Sequence, residues 1–155
     1  MAGRVDKRLA ELKIGLPKAA APVANYTPVV VAGNLAFVSG QVTVWNGEFQ
    51  YKGRLGREFT VEQGQAAARL CGLNVIAQLR AALGGDLDRV KRCVKLGVFV
   101  NSADDFTDQP KVANGASDLM VELFGEAGRH ARFAVGANTL PLNVAVEVDA
   151  VFEVA

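Results

Sequence analysis

The chain has 155 residues, half of them hydrophobic, the size and composition of one folded domain with a substantial core. Seventeen basic residues against sixteen acidic ones leave a net charge of +1, and no cluster of Lys or Arg exceeds a few positions, so a nucleic-acid surface is not expected. The opening MAGRVDKRLAELK lacks the apolar run of a signal peptide, and nothing approaches the ~20 apolar residues of a membrane span; both predict a cytoplasmic protein without a membrane partner.

Residues 5–12 read as a short helix with Leu9 and Leu12 on one side and Gly15 ending it. Residues 16–23, rich in Pro and Ala, are expected to be an extended connector. A first strand, residues 26–31, leads through the turn Gly33-Asn34 into the apolar strand LAFVSG. Asn46-Gly47, between residues 42–44 and 49–51, marks a second hairpin. Thr60-Val61-Glu62-Gln63 has the form of a capping box opening a long helix that stops at Gly84-Gly85. Within it Ala67, Leu70, Cys71, Val75, Leu79 and Leu83 form a stripe for a sheet to cover. One helical turn over residues 86–89 precedes the strand CVKLGVFVN. Pro110 suits the first turn of a second helix carrying Val112, Ala116, Leu119, Met120 and Leu123, with Gly125 as its stop.

The chain ends on RFAVGANTLPLNVAVEVDAVFEV, which reads as two strands joined by a loop containing Leu140 and Pro141. In the second strand Val144, Val146, Val148, Ala150, Phe152 and Val154 share one face; Glu147, Asp149 and Glu153 share the other. If the loop turns symmetrically, Arg132 lies opposite Glu147, close enough for an ion pair, though a surface pair of that kind contributes only ~0–1 kcal/mol. The order β-β-α-β-α-β-β predicts an α+β domain spanning residues 1–155, with residues 1–21 as an N-terminal helix and connector. Its one sheet carries both helices on one face. The other face includes Ala134, Gly136, Ala145 and Val151, and a half-apolar face of this kind calls for a partner, most simply further copies of the chain. Cys71 and Cys93 lack CxxC spacing and read as buried thiols; with His130 as the single histidine, neither a metal site nor a cofactor is expected.

Several stretches taken together resemble the Rid (YjgF) family of reactive-intermediate deaminases. They are Tyr26 thirteen residues before Ser39 in SGQ, the segment VFVNSADDF, and Arg132 followed by Leu140-Pro141 and then Val146-Glu147-Val148-Asp149. No one of these motifs is specific; their joint order is, and it covers the chain from about Pro22 onward. The resemblance implies a chorismate-mutase-like fold, a homotrimer with a cleft between subunits, and hydrolysis of small enamines or imines such as 2-aminoacrylate to a keto acid and ammonia. Carried over by position, Arg132 implies the anchor for the substrate carboxylate and Glu147 the acidic residue holding the attacking water. Tyr26, Ser39 and Gly40 imply lining residues of the same cleft. The sequence departs from the family pattern in its N-terminal helix, in about four extra residues around 107–111, in Phe133 after the arginine, and in His130-Ala131 before it.

An arginine suits a carboxylate because its planar fork donates two parallel hydrogen bonds and keeps its charge. Beside that cation Glu147 is expected to have a lowered pKa, with burial opposing, and so to be ionised and orient or deprotonate a water. Ser39 has no histidine partner and reads as a hydrogen-bonding wall or a strand-end serine bonded to backbone. Tyr26 reads equally as an interface aromatic. Asp149 and His130 are expected to be structural, His130 as a loop residue, and Phe133 to be core. A trimeric protein that binds a small carboxylate without turning it over is the alternative function. RNA cleavage ranks behind both, for want of a basic stripe.

Overall fold

The computed structural model describes residues 2–22 and 24–155; Val23, at the end of the expected connector, lies outside the described residues. The first helix, α1 (Arg4–Glu11), buries Val5 and Leu9. Its N-terminus is capped from a distance: the Asp88 carboxylate accepts from the backbone N–H of Arg4 (2.7 Å) and of Val5 (2.9 Å). The helix stops at Leu12 and Lys13, not at Gly15; Lys13 itself takes the left-handed conformation (φ 55°) that glycine was expected to supply. An extended stretch follows, and β1 (Val29–Ala32) begins three residues after Tyr26, beyond Pro28. It turns through Gly33 into β2 (Leu35–Gln41); β3 (Val44–Trp45) and β4 (Glu48–Phe49) make a separate small hairpin around Asn46-Gly47.

The long helix α2 (Val61–Ala82) opens on the capping box, with Thr60 Oγ1 accepting from the Gln63 N–H and Gln63 Oε1 accepting from the Thr60 N–H. A 3₁₀ turn (Leu87–Arg89) leads into β5 (Val90–Asn101). Then come α3 (Gln109–Phe124), with Pro110 in its first turn and Gly125 at φ 61° closing it, and the strands β6 (Ala131–Ala137) and β7 (Val146–Val154). No helix among the described residues is long and apolar enough to cross a membrane.

Among the described residues the main sheet has five strands in the order β1-β2-β7-β5-β6. β5 and β6 run parallel, as the crossover through α3 requires, while β7 lies antiparallel to both β2 and β5. Helices α2 and α3 cover one face. The core between is built from Cys71, Val75 and Leu79 of α2, Leu119 and Met120 of α3, and Leu96, Val98, Val148 and Phe152 of the sheet, all fully buried. The two helices approach closely because α3 carries Gly115 where they meet: a Cβ there would run into the Gln65 carbonyl of α2. The opposite face holds, by register, Val30 of β1, Phe37 of β2, Val151 of β7, Phe99 of β5 and Val135 of β6. Of these Val30, Phe37, Phe99 and Val135 are exposed, a cost for any chain that stays alone in water.

The final pair of strands is arranged differently from the sequence expectation. β6 and β7 do not pair; β5 lies between them. The connection between them passes over the end of β5, where the Asn101 amide donates to Gly53 O (3.2 Å), Asn143 Oδ1 (3.2 Å) and Val144 O (3.1 Å). Leu142 and Asn143 take left-handed conformations (φ 56° and 59°) in that passage. Consecutive strands are neighbours in most sheets, and the hairpin expectation rested on that tendency. Here α3 returns the chain parallel to β5 on its outer side, so β7 must cross to reach the slot beside β2.

Candidate active site

The residues singled out in the sequence fall into two groups at different places on the sheet. Arg132 lies on the edge strand β6, paired with the buried Leu96, so its side chain stands on the helix side. There α3 presents Pro110, Asn114 and Ser117, four and three residues apart and hence on one helix face. Arg132 Nη1 donates to Asn114 Oδ1 (2.9 Å) and to Ser117 Oγ (3.0 Å), and Nη2 makes a long contact with Pro110 O (3.4 Å). It has no ion-pair partner among the described residues.

His130 precedes the strand and is more than a loop residue. Its Nδ1 lies 2.6 Å from Gly128 O and its Nε2 lies 2.9 Å from Ser117 Oγ. Burial holds its pKa below the ordinary imidazole value, and the Arg132 charge adds to this against the Gly128 carbonyl, so the ring is neutral at pH 7. A pocket of about 280 Å³ opens here, lined by Ser117, Asp118, Val121, Arg129, His130 and Arg132.

The second group gathers where β2 meets β7. The register of β2 slips between Val38 and Gln41, and this irregularity carries Ser39 and Gly40. Gly40 lies against Glu147 so closely that a Cβ would strike the carboxylate Oε2 and push the acid out of its present position. Glu147 stands on the face away from the helices, half-buried beside Phe99, with no hydrogen-bond or ion-pair partner among the described residues. Burial raises its pKa above the ordinary carboxylate value, and the neighbouring Asp149 raises it further. Ser39 is half-buried and its hydroxyl donates to Thr27 O (3.1 Å), the local backbone bond that was one of its two readings. Tyr26 is exposed and, with Pro28, Gly40, Gln41 and Phe49, lines a second pocket of about 280 Å³.

Arg132 and Glu147 are therefore not opposite one another. Arg132 is level with Leu96 and Glu147 with Phe99, three residues further along β5 and on the other side of it. Strand spacing and rise put their Cα atoms about 14 Å apart, on opposite faces of the sheet. The expected lowering of the Glu147 pKa fails for the same reason: no cation among the described residues faces it, and burial decides the sign. Phe133 is not core either. It stands on the uncovered face, with its ring edge-on to Phe99 at 5.2 Å and Lys95 Nζ at 5.5 Å from its centroid. Asp149 shares that face with Glu147, as expected, and packs against Gly97. Asn114 and Ser117 were missed by sequence reasoning; the available signal was their spacing, two polar positions three residues apart on α3. Cys71 and Cys93 are buried and free, as expected, with burial pushing the Cys93 thiol up to about 12.

Comparison with known proteins agrees with this architecture. Protein TCP17 of Trypanosoma cruzi is 56% identical over 152 residues, covering 97% of this chain and 94% of that one. The crystal structure of Atu1372 from Agrobacterium tumefaciens, a protein of unknown function, superposes with a TM-score of 0.92 at 45% identity, covering 98% of this chain and 93% of that one. Escherichia coli TdcF, solved with bound serine, matches with a TM-score of 0.63 at 25% identity, covering 89% and 94%. The family described as "YjgF/chorismate mutase-like, putative endoribonuclease" matches residues 6–154, virtually the whole chain, and the protein belongs to it.

Proposed function

We propose that this protein hydrolyses small enamine or imine acids, of the 2-aminoacrylate type, at clefts between the subunits of a homotrimer. The observation that carries the reading is the separation just described. An unpartnered, half-buried carboxylate at Glu147 and a guanidinium without an acidic partner at Arg132 stand on opposite faces of one sheet, where each needs a second copy to be completed. The uncovered face with Phe37, Phe99 and Val135 supplies the apolar area for such an assembly. That the relative TdcF was solved with serine is in keeping with a small amino-acid-like ligand.

In this mechanism an enamine first takes a proton at its methylene carbon to become the imine; Arg132 of one copy then holds the substrate carboxylate and Glu147 of the next holds a water against the C=N carbon. As the C–O bond forms, Glu147 takes a proton from the water, and the π electrons move to nitrogen, which is protonated. A raised carboxyl pKa makes Glu147 a stronger base than an ordinary carboxylate, and also able to return the proton to nitrogen. Glu147 then takes the hydroxyl proton of this adduct and passes it to the amine, so that the C–N bond breaks as the C–O bond becomes C=O, releasing ammonia and the keto acid. RNA cleavage has less support, because the net charge of +1 provides no backbone-binding track.

The test is to generate 2-aminoacrylate with a serine dehydratase and follow pyruvate release with and without the protein. Acceleration by wild type, abolished in Glu147→Gln, is the expected result. Pyruvate binding without any acceleration would replace this reading with that of a carboxylate-binding protein.

A further inference from the structure

The hydrogen bonds around Arg132 run in one direction only. Gly128 O is a carbonyl and can only accept, so His130 Nδ1 carries the proton and donates across the 2.6 Å contact. With the ring neutral, Nε2 is then a bare acceptor, and the Ser117 hydroxyl donates to it across 2.9 Å. Ser117 Oγ, its own hydrogen committed, receives Arg132 Nη1 at 3.0 Å. The second hydrogen of Nη1 goes to Asn114 Oδ1 at 2.9 Å. Both hydrogens of Nη1 are thus consumed within the chain. Nε makes no hydrogen bond among the described residues, and Nη2 has only the long contact with Pro110 O.

We infer that Ser117 and His130 are positioning residues for Arg132. Their relay to the Gly128 carbonyl, together with Asn114, fixes Nη1 and leaves the Nε–Nη2 edge of the guanidinium to receive the two oxygens of a carboxylate. This rests on the reading of Arg132 as the carboxylate anchor and adds what holds it. An unrestrained arginine must give up rotamer freedom when a ligand arrives; a guanidinium already fixed on one side gives up less. The relay also selects the side-on fork over the end-on one, because Nη1 is occupied. The pocket against which these groups stand admits a ligand of a few heavy atoms, at about 280 Å³, and the second arginine on its wall, Arg129, is turned toward Glu126 (3.3 Å).

Two measurements test this. His130 is the single histidine, so its ring gives one unambiguous pair of ¹⁵N resonances. At pH 7.5 the Nδ1–H tautomer is expected; the Nε2–H tautomer would overturn the relay, because Nε2 could then accept nothing from Ser117. The second measurement titrates pyruvate, as the probe, into wild type and four variants. Ser117→Ala and His130→Asn, which keeps the Gly128 bond but offers Ser117 no acceptor, should each weaken binding roughly fivefold, the worth of one hydrogen bond. His130→Gln, whose Oε1 can accept from Ser117, should recover most of what His130→Asn loses. In turnover the same variants should move KM more than kcat. Should Arg132→Lys abolish binding while Ser117→Ala and His130→Asn bind like wild type, the anchor stands and this inference falls. Failure of His130→Gln to rescue would reduce His130 to a packing role and also overturn it. Wild type that does not bind pyruvate, or binds it unchanged in Arg132→Lys, would remove the anchor reading and the inference together.

Discussion

At the scale of single residues the decisive group is Glu147, whose surroundings favour the protonated form. A carboxyl whose folded pKa is raised stabilises the fold below its ordinary titration range, and that contribution is lost as pH rises through the folded value. Glu147→Gln removes this liability, so it should raise the melting temperature at pH 7 while cutting kcat by about 10²–10⁴, the usual worth of a general base. A scan of melting temperature against pH, run beside the kinetics, checks both halves; a variant that loses activity by unfolding would fail the first. The sequence led to Arg132, Glu147, Tyr26, Ser39 and Gly40 through resemblance, and the bulge against Glu147 supplies a physical reason for glycine at position 40. Asn114 and Ser117 stayed hidden because their role depends on where β6 lies, which spacing along the chain does not fix. Phe133 was misplaced for a related reason: on an edge strand, alternation alone does not say which face is core.

Among elements, the caps were legible and the pairing of the last strands was not. Thr60, Pro110 and Gly125 act locally, through one turn of backbone, and the sequence exposes them directly. The order β7-β5-β6 is set by where α3 returns the chain, a tertiary choice, and it contradicts the nearest-neighbour hairpin. Two predictions belong here. Gly115→Ala improves intrinsic helix propensity by ~1 kcal/mol but drives a methyl into the Gln65 carbonyl, where overpacking costs ~1–3 kcal/mol or more. Denaturant titration should show net destabilisation, and pyruvate binding should weaken as Asn114 and Ser117 shift away from Arg132. A neutral or stabilised variant would show that the helices part without strain. For α1, the Val5 and Arg4 N–H groups hold the Asp88 carboxyl below its ordinary value. Its contribution is therefore full above that ordinary value and lost as pH falls through the depressed one. Asp88→Ala should cost ~0.5–1 kcal/mol near neutrality, at the low end of capping values because the site is exposed. Hydrogen exchange of the α1 amides should rise in the variant, and in wild type at acid pH; unchanged protection would mean that Val5 and Leu9 alone hold the helix.

For the whole molecule, assembly and catalysis are one question. The uncovered sheet face motivates the trimer, and light scattering behind a sizing column should give three times the chain mass of 16.4 kDa. Phe37→Asp, which places a charge on that face without touching the core of one chain, should yield monomers that are folded and inactive; active monomers would separate turnover from assembly. The central claim is that Arg132 and Glu147 serve the same site from different copies, and complementation between variants tests it most directly. Arg132→Lys and Glu147→Gln are each purified alone as nearly inactive protein, and the two are also co-expressed so that mixed trimers form. In a closed ring of three, every mixed trimer holds one interface where an intact arginine meets an intact glutamate. Random assembly makes roughly three trimers in four mixed, so pyruvate release should recover to about a quarter of wild type. If the mixture is no more active than its parents although the mixed trimers have formed, the two residues do not share a site across copies.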